Sequence, residues 1–325
     1  MFFCTISWSQ QTEIDSLKRV LRVAKVDTSK VNLYNHIANQ FKESNPDSTA
    51  YYARKAAALS QKIKYSFGLA TSYLNQGNSN IILSNYAKAK IDFEKAKTNF
   101  TQLLEDNETK EIKSGLAGAY ASLGVIYSEE NNYSVALENY QKALKIYLEI
   151  GQKNNISKAY NNIGIIYKSQ GNYPKAIEYL KKALQIQEEI GEQAAAMSLT
   201  NIGVIYFEQN NSKKAYEYYT KAEKLFEKID NQRGFALLKN YLGDYYKKQN
   251  QMDRALASYT TSLNMYNAMQ NKHGAALVMY NLGQLYFDQN KASEAINYAN
   301  QSLGYAKEVG LLDQTFHSEK LLSDI

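Results

Sequence analysis

Asparagine recurs just before a glycine that itself returns every 39 or 40 residues. Asn162, Asn201 and Asn281 each stand two residues before such a glycine, and Asn240 stands three before it. An amide side chain offers both a donor and an acceptor, so a row of amides could pair with the backbone of an extended peptide of any sequence. The alternative is that these side chains satisfy helix ends or bind water.

Other side chains are expected beside these amides. If the glycine faces the inside of a helix pair, residues two and three before it, one after it, and four or five after it point away from the pair. The predicted binding groove therefore contains Asn161, Asn162, Lys168, Asn201, Phe207, Asn240, Asp244, Lys247, Tyr280, Asn281 and Phe287. Its lysines could attract acidic segments, although it carries carboxylates as well.

Catalytic and metal-binding patterns are missing from the sequence. His36, His273 and His317 are scattered, and the single cysteine, Cys4, can form neither an internal disulfide nor a cysteine-based metal site. No phosphate-binding loop or nucleophile motif occurs. We therefore expect neither an enzyme nor a cofactor.

The composition of the chain further narrows the classes of partner that we expect. The net charge of +6 comes from 38 basic and 32 acidic residues spread along 325 positions, without the basic stripe that nucleic acid requires. Most of the 28 tyrosines fall at packing positions, so we expect a core role for them and not base stacking. No apolar run approaches the roughly 18 residues that a membrane helix needs. A protein or peptide segment is the expected partner, and the oligomeric state stays open.

A repeat must position the predicted groove. Its glycines lie in the contexts Y-A-S-L-G-V-I-Y, Y-N-N-I-G-I-I-Y, L-T-N-I-G-V-I-Y, K-N-Y-L-G-D-Y-Y and Y-N-L-G-Q-L-Y, and they are Gly124, Gly164, Gly203, Gly243 and Gly283. Each is followed by a tyrosine three residues later and by an alanine twelve residues later. Seven residues after the glycine comes an asparagine or glycine, types that tolerate the left-handed conformation that ends a helix. Each period is therefore predicted to be a pair of helices with a turn at a fixed place.

Less regular copies surround these five. Gly77 has Ala89, Phe93 and Ala96 at matching offsets, but its interval to Gly124 is 47, with the extra residues expected around Gln102–Lys110. The predicted organisation is a capping helix at 11–30, two degenerate units at 31–110, five clear units at 111–310, and a capping helix or the start of an eighth unit at 311–325. We expect looser packing at three departures from this pattern. Ser262 and Ser302 replace the last small alanine, and Ala299 replaces the aromatic residue.

The pattern resembles the tetratricopeptide repeat, in which a bulky residue, Leu-Gly and Tyr are followed by Gly, Ala, an aromatic residue and Ala. The segment G-N-Y-P-K-A-I-E-Y-L-K-K-A-L, Gly171–Leu184, carries this resemblance most clearly. The resemblance implies an all-α fold, a right-handed α-solenoid of about seven helix-turn-helix repeats. Related repeat proteins hold peptide backbones with asparagines at the matching position. The residue mixture also resembles the sensory arrays of Bacteroidetes-type signalling proteins.

Two functions follow from these expectations. The first is a non-enzymatic protein- or peptide-binding scaffold. The second is the ligand-sensing region of a longer histidine kinase or transcription regulator with an output module beyond residue 325. Residues 1–10 indicate either a signal-peptide remnant, hence export to the periplasm or membrane, or a frayed terminus of a cytoplasmic protein. Leu321–Leu322 look like packing residues without a partner helix, which favours a chain cut from a longer protein over a natural cap.

Overall fold

The computed structural model describes residues 8–42, 45–83, 85–191, 195–229 and 231–325. These residues form sixteen α-helices and no strand. Cys4 and most of the segment interpreted as a signal remnant lie outside the described residues. None of the described helices is both long enough and apolar enough to cross a lipid bilayer.

The helices form successive pairs, with α1 (Trp8–Val23) ahead of the first pair and α16 (Leu312–Asp324) after the last. The first helices of the seven pairs are α2 (Thr28–Phe41), α4 (Ser66–Ile82), α6 (Lys110–Glu129), α8 (Lys153–Ser169), α10 (Ala195–Glu208), α12 (Gln232–Lys248) and α14 (Lys272–Asp288). The second helices are α3 (Pro46–Ile63), α5 (Tyr86–Asp106), α7 (Tyr133–Ile150), α9 (Tyr173–Ile190), α11 (Ser212–Phe226), α13 (Met252–Ala268) and α15 (Ala292–Val309). The predicted all-α class, an α-solenoid of helix-turn-helix repeats, is confirmed.

The chain divides into two compact units, and the division falls within α9. The N-terminal unit is the described part up to Ile186, and the C-terminal unit is Gln187–Ile325. Within each unit, first helices of successive pairs contact one another: α2 with α4, α4 with α6, α10 with α12, and α12 with α14.

The predicted turn is confirmed in five pairs. Positive φ values between 56° and 72° occur seven residues after the glycine, at Asn131, Gly171, Asn210, Asn250 and Asn290. Asparagine and glycine adopt this left-handed conformation at low cost, so the same turn ends each first helix at the same place. Near the N-terminal end, Asp27 is the N-cap of α2, and its side chain accepts hydrogen bonds from the backbone N–H groups of Ser29 and Lys30.

The extra residues between Gly77 and Gly124 lengthen helices. Helix α5 has 21 residues and α6 has 20, whereas α8, α12 and α14 have 17 each. Their connection from Asn107 to Thr109 stays short. The inserted residues therefore lengthen α5 and α6, the helices on either side of this connection between two pairs.

The repeated glycines lie where the two helices of a pair cross. On five of these six glycines the side chain sixteen residues later packs: Phe93 on Gly77, Tyr140 on Gly124, Leu180 on Gly164, Tyr219 on Gly203 and Tyr259 on Gly243. A Cβ atom at Gly243 would lie 2.4 Å from the Tyr259 ring, closer than any side chain tolerates. The alanines twelve residues after the glycine are fully buried at the same crossing.

The expectation of looser packing at the serine substitutions is wrong. Ser262 Oγ donates to the Ala236 carbonyl at 2.7 Å, and Ser302 Oγ donates to the Ala276 carbonyl at 2.8 Å. Both serines are completely buried. A hydroxyl that is small and hydrogen-bonded keeps the helices close and leaves no unsatisfied group.

The expected gap at Ala299 is also filled. Leu321 of α16 lies on Gly283, with its Cδ2 3.1 Å from the position of a Cβ on that glycine, and Leu321 is 5% exposed. The interpretation of Leu321 as a packing residue without a partner is therefore wrong. Leu321 supplies from the following helix the bulk that Ala299 lacks.

Candidate functional site

The side chains predicted to line the groove fall into both units. In the C-terminal unit they lie on α10, α12 and α14, whose sides turned away from the second helices form what we call the first-helix face. Phe207, Asp244, Lys247, Tyr280, Asn281 and Phe287 are half-buried or exposed there. Asn240 differs from them: it is 2% exposed and lies between helices instead of on the face.

Asp244 stands directly after Gly243, where the other clear repeats have Val125, Ile165, Val204 and Gln284. This carboxylate accepts a hydrogen bond of 2.6 Å from the hydroxyl of Tyr259, the residue whose ring covers Gly243. One repeat earlier, Val204 stands in the position of Asp244, and Tyr219 is the equivalent tyrosine. Its hydroxyl is buried and has no hydrogen-bond partner in the described part of the chain.

Asn281 joins Asp244 to Asn240. Its amide nitrogen donates to Asn240 Oδ1 at 3.0 Å and more weakly to Asp244 Oδ1 at 3.4 Å. This links α12 to α14 through side chains 41 residues apart. These two amides thus bond to each other between consecutive repeats.

The same arrangement occurs in the N-terminal unit. Asn75 Nδ2 donates to the backbone oxygen of Asn35 at 3.1 Å and to its side-chain oxygen at 3.2 Å. Asn35 Nδ2 donates to the Gly68 carbonyl at 2.9 Å. Both asparagines are at most 5% exposed, so this contact is a buried polar link between α2 and α4. The sequence contains a signal for it, since Asn35 and Asn75 are one repeat apart, but the predicted groove did not include either residue.

Burial controls the acid–base properties of the C-terminal cluster. Desolvation raises the pKa of Asp244 to about 6, and the hydrogen bond from Tyr259 and the charge of Lys247 oppose that rise. Desolvation also raises the pKa of Tyr241 to about 12, assisted by the nearby negative charge of Asp244. Asp244 forms no ion pair among the described residues, which is why burial dominates.

Larger side chains line the end of the first-helix face. Phe207, Lys247 and Phe287 each stand four residues after a repeated glycine, one on each of α10, α12 and α14. Lys248 Nζ lies 4.7 Å from the centre of the Phe207 ring, and Lys247 Nζ lies 2.8 Å from Asp288 Oδ2. Phe287 is 38% exposed. The row therefore presents an aromatic ring, a cation and a second aromatic ring on neighbouring helices.

Tyr280 lies on the same face, on α14 and three residues before Gly283. Its hydroxyl accepts a hydrogen bond of 2.6 Å from Gln284 Nε2, and its ring centroid lies 5.9 Å from that of His317. The predicted residues Asn161, Asn162 and Lys168 are half-buried on α8 in the N-terminal unit, and Asn201 is half-buried on α10. The predicted set is therefore spread over both units, and the structure brings together its members on α12 and α14.

Metal-ligating side chains do not gather in the described ranges, where no group of three histidine, cysteine or acidic residues could hold an ion. His36 lies 3.4 Å from Glu13 and beside Gln40 on the surface. His317 is on α16, in ring contact with Tyr280 and Phe316. The chemistry that this arrangement offers is hydrogen bonding, ion pairing and aromatic contact.

The comparison with protein families agrees with this architecture. Models described as tetratricopeptide repeat match residues 117–150, 155–228 and 235–308, which together exceed half of the chain. The chain belongs to the tetratricopeptide repeat family. No curated protein matches its sequence.

Several solved structures share the fold. A Rap protein complexed with competence and sporulation factor has a TM-score of 0.70 at 15% identity, over 94% of this chain and 81% of that one. The Rap conjugation gene regulator of plasmid pLS20, complexed with the Phr* peptide, has a TM-score of 0.66 at 12% identity, over 94% and 87%. BtubC from P. vanneervenii has a TM-score of 0.55 at 18% identity, over 70% and 92%. At such identities the likeness concerns the fold alone.

Proposed function

We propose that this protein is a non-enzymatic scaffold that binds an extended peptide or protein segment on the first-helix face of its C-terminal unit. The observation that carries the proposal is the row of Phe207, Lys247 and Phe287 on three neighbouring helices. Phe287 is exposed and Phe207 is half-buried, and an aromatic ring that is partly in water is a common anchor for a partner. A lysine between the two rings adds a charged contact.

The spacing of Phe207, Lys247 and Phe287 indicates how the side chains of a bound peptide would be spaced. Packed helices are separated by about 8–10 Å, and an extended chain advances about 3.3 Å per residue. A peptide crossing the three helices would therefore place apolar side chains about six residues apart on Phe207 and Phe287. An acidic residue midway between these two apolar side chains would reach Lys247. The ammonium group of Lys247 has three donors, so it can bond to this residue and to Asp288 at the same time.

Asn281 offers a contact to the peptide backbone. Its amide nitrogen is engaged with Asn240 and Asp244, which fixes the orientation of the side chain. Its Oδ1 accepts no hydrogen bond among the described residues and can receive a peptide N–H. Two of the structures with this fold are complexes, one with competence and sporulation factor and one with the Phr* peptide, which supports a peptide as the ligand class.

The test is selection from a displayed library of random twelve-residue peptides, followed by calorimetry on the full chain. Peptides bound at the face should lose roughly 10-fold or more in affinity with Phe287→Ser and with Lys247→Ala. They should be unaffected by Ile296→Ser, a control on the second helix α15 with a similarly exposed side chain of 43%. Selected peptides that bind all three variants equally would disprove the proposed site.

The sensory role in a longer signalling protein and the export of the chain stay predictions. A full-length transcript that continues into a kinase or DNA-binding module would support the sensory role. The first-helix face would then be the part of that protein that receives its ligand.

A further inference from the structure

Two tyrosines, Tyr216 on α11 and Tyr245 on α12, pack against each other where two successive repeats of the C-terminal unit meet. Their ring centroids are 5.3 Å apart, and the rings are nearly parallel, at 21°. Tyr246 lies against both, with centroid distances of 5.5 Å to Tyr245 and 6.5 Å to Tyr216. The guanidinium carbon of Arg254 is 4.8 Å from the centre of the Tyr246 ring. We call these four residues the tyrosine patch.

Among the five clear repeats, tyrosine occurs at these two positions only here. Tyr216 stands thirteen residues after a repeated glycine, and Tyr245 stands two residues after the next one. The other clear repeats have leucine or isoleucine: Leu137, Ile177, Leu256 and Ile296 at the first position, and Ile126, Ile166, Ile205 and Leu285 at the second. Aliphatic side chains therefore satisfy the packing of this repeat, and packing alone does not require either ring.

The tyrosine patch reaches the surface. The four aliphatic residues at the position of Tyr245 are at most 1% exposed, whereas Tyr245 is half-buried and Tyr216 is 39% exposed. Tyrosine and arginine are among the side chains that most often anchor a protein partner, because each combines a large contact area with a polar group. The tyrosine patch therefore has the composition of the centre of a protein interface.

Cationic side chains surround the tyrosine patch. Lys213 stands one turn before Tyr216 on α11, and Lys248 stands one turn after Tyr245 on α12, so each lies on the same side of its helix as the ring. Lys213, Lys248 and Arg254 are exposed, and none of the three forms an ion pair among the described residues. Their charges are therefore available to a partner.

The carboxylates on α11 and α13 leave this positive charge in place. Glu217 pairs with Lys221 at 2.7 Å, and Glu223 pairs with Lys239 at 2.5 Å. Asp253 is adjacent in sequence to the arginine of the patch, and successive residues of a helix point to different sides. An acidic partner is therefore complementary to the tyrosine patch.

Hydrogen bonds between adjacent turns hold the helices that carry the tyrosine patch. Lys248 Nζ donates to Asn210 Oδ1, and Gln249 Nε2 donates to Ser212 Oγ at 3.1 Å. These bonds connect the turn between α10 and α11 to the turn between α12 and α13. Because both turns are positioned in this way, little conformational freedom is lost when a partner binds.

We propose that the tyrosine patch binds an acidic protein segment that carries an aromatic side chain between its carboxylates. The aromatic side chain would pack on the exposed part of Tyr216, and the carboxylates would pair with Arg254 and Lys213. A protein segment fits better than nucleic acid, because the patch offers few rings for successive bases and Asp253 at its flank would repel a phosphate backbone. The contact is small, so we expect dissociation at roughly 10–100 µM.

Calorimetry on the full chain with a synthetic peptide tests the proposal. The probe has one phenylalanine between two runs of three glutamates, with Gly-Ser at one end, Ser-Gly at the other, and both termini blocked. It should bind at roughly 10–100 µM in low salt. Replacing the glutamates by glutamine, or the phenylalanine by serine, should weaken binding by roughly 10-fold or more.

Variants that restore the residue types of the other repeats remove the patch and keep the fold. Tyr216→Leu combined with Tyr245→Ile should lose roughly 10-fold or more in affinity, with unchanged helical content by circular dichroism. Arg254→Gln should lose roughly 5-fold or more. Lys175→Gln is the matched control and should have no effect, because Lys175 has the repeat position of Arg254 and lies over Tyr167 in the N-terminal unit.

Three results would overturn the proposal. They are a wild type that does not bind the acidic peptide at about 1 mM, equal binding by wild type and the double variant, and tighter, patch-dependent binding of a single-stranded oligothymidylate, which would indicate nucleic acid instead. Phe287→Ser and Lys247→Ala, which test the peptide site on the first-helix face, should leave binding of the acidic peptide unchanged. Because the two surfaces share no residue, failure of one proposal is distinguishable from failure of the other.

Discussion

Replacing Tyr219 by phenylalanine should make the C-terminal unit more stable, whereas the same change at Tyr259 should make it less stable. The two tyrosines occupy the same position of successive repeats, and each covers a glycine, Gly203 or Gly243. They are 0% and 1% exposed. Only the surroundings of the hydroxyl differ, because Val204 stands where the next repeat has Asp244.

The expected magnitudes follow from this difference. The Tyr219 hydroxyl is buried and has no partner among the described residues, and such a group costs about 1–3 kcal/mol, which phenylalanine removes. The Tyr259 hydroxyl donates to a carboxylate at 2.6 Å, and a hydrogen bond to a charged group contributes about 1.5–3 kcal/mol. The two variants should therefore differ by about 3 kcal/mol or more, with opposite signs relative to the wild type.

Amide hydrogen exchange detected by mass spectrometry is the suitable assay, because unfolding of a repeat array is not one cooperative event. The helices α11 to α13 should exchange roughly 10-fold more slowly in Tyr219→Phe and roughly 10-fold or more faster in Tyr259→Phe, at 1.4 kcal/mol per factor of ten. Equal destabilisation by both changes would refute the reasoning. It would show that the Tyr219 hydroxyl is as well satisfied in solution as that of Tyr259.

Three further predictions concern single residues. Because the folded-state pKa of Asp244 is raised from 3.8 to about 6, the stability that its protonated form contributes is complete below pH 4 and is lost as the pH rises through 6. Asp244→Asn should therefore gain up to about 3 kcal/mol on the wild type at pH 8 and little at pH 4, measured by amide hydrogen exchange in α12 and α13 with variant and wild type compared at each pH. Gly243→Ala should lose about 1–3 kcal/mol to the clash with Tyr259, whereas Gly304→Ala, which has open space within α15, should gain about 0.5–1 kcal/mol, both read from hydrogen exchange of the helix that carries the change. Asn75→Ala should cost about 1–3 kcal/mol by leaving the Asn35 oxygens unpaired, against less than about 0.5 kcal/mol for Asn99→Ala at a half-buried surface position, with exchange in α2 and α4 as the readout.

The sequence by itself determined the repeat, the helix pairs and the turns. Glycine or asparagine at a fixed distance predicts the left-handed residue that ends each first helix, and Gly171 and Asn250 show it. These features depend on neighbours within about 20 residues, which is the range over which the helical period fixes the direction of a side chain. For the same reason, the sequence could predict that Phe207 and Phe287 lie on the side of their helices that faces away from the second helix of the pair.

Only the tertiary structure decided how consecutive repeats complete one another. Asn240 is at a position predicted to face outward, yet it is buried because the next first helix covers it and Asn281 reaches across to it. Leu321 fills the space that Ala299 leaves. Asp244 accepts a hydrogen bond from the Tyr259 hydroxyl, whereas the equivalent hydroxyl of the preceding repeat has no partner in the part of the chain that the structure describes. The helical period gives the direction of a side chain but not the depth to which the neighbouring helix buries it. That depth depends on the volumes of side chains about 40 residues apart, which pack to a common density only once the repeats are stacked.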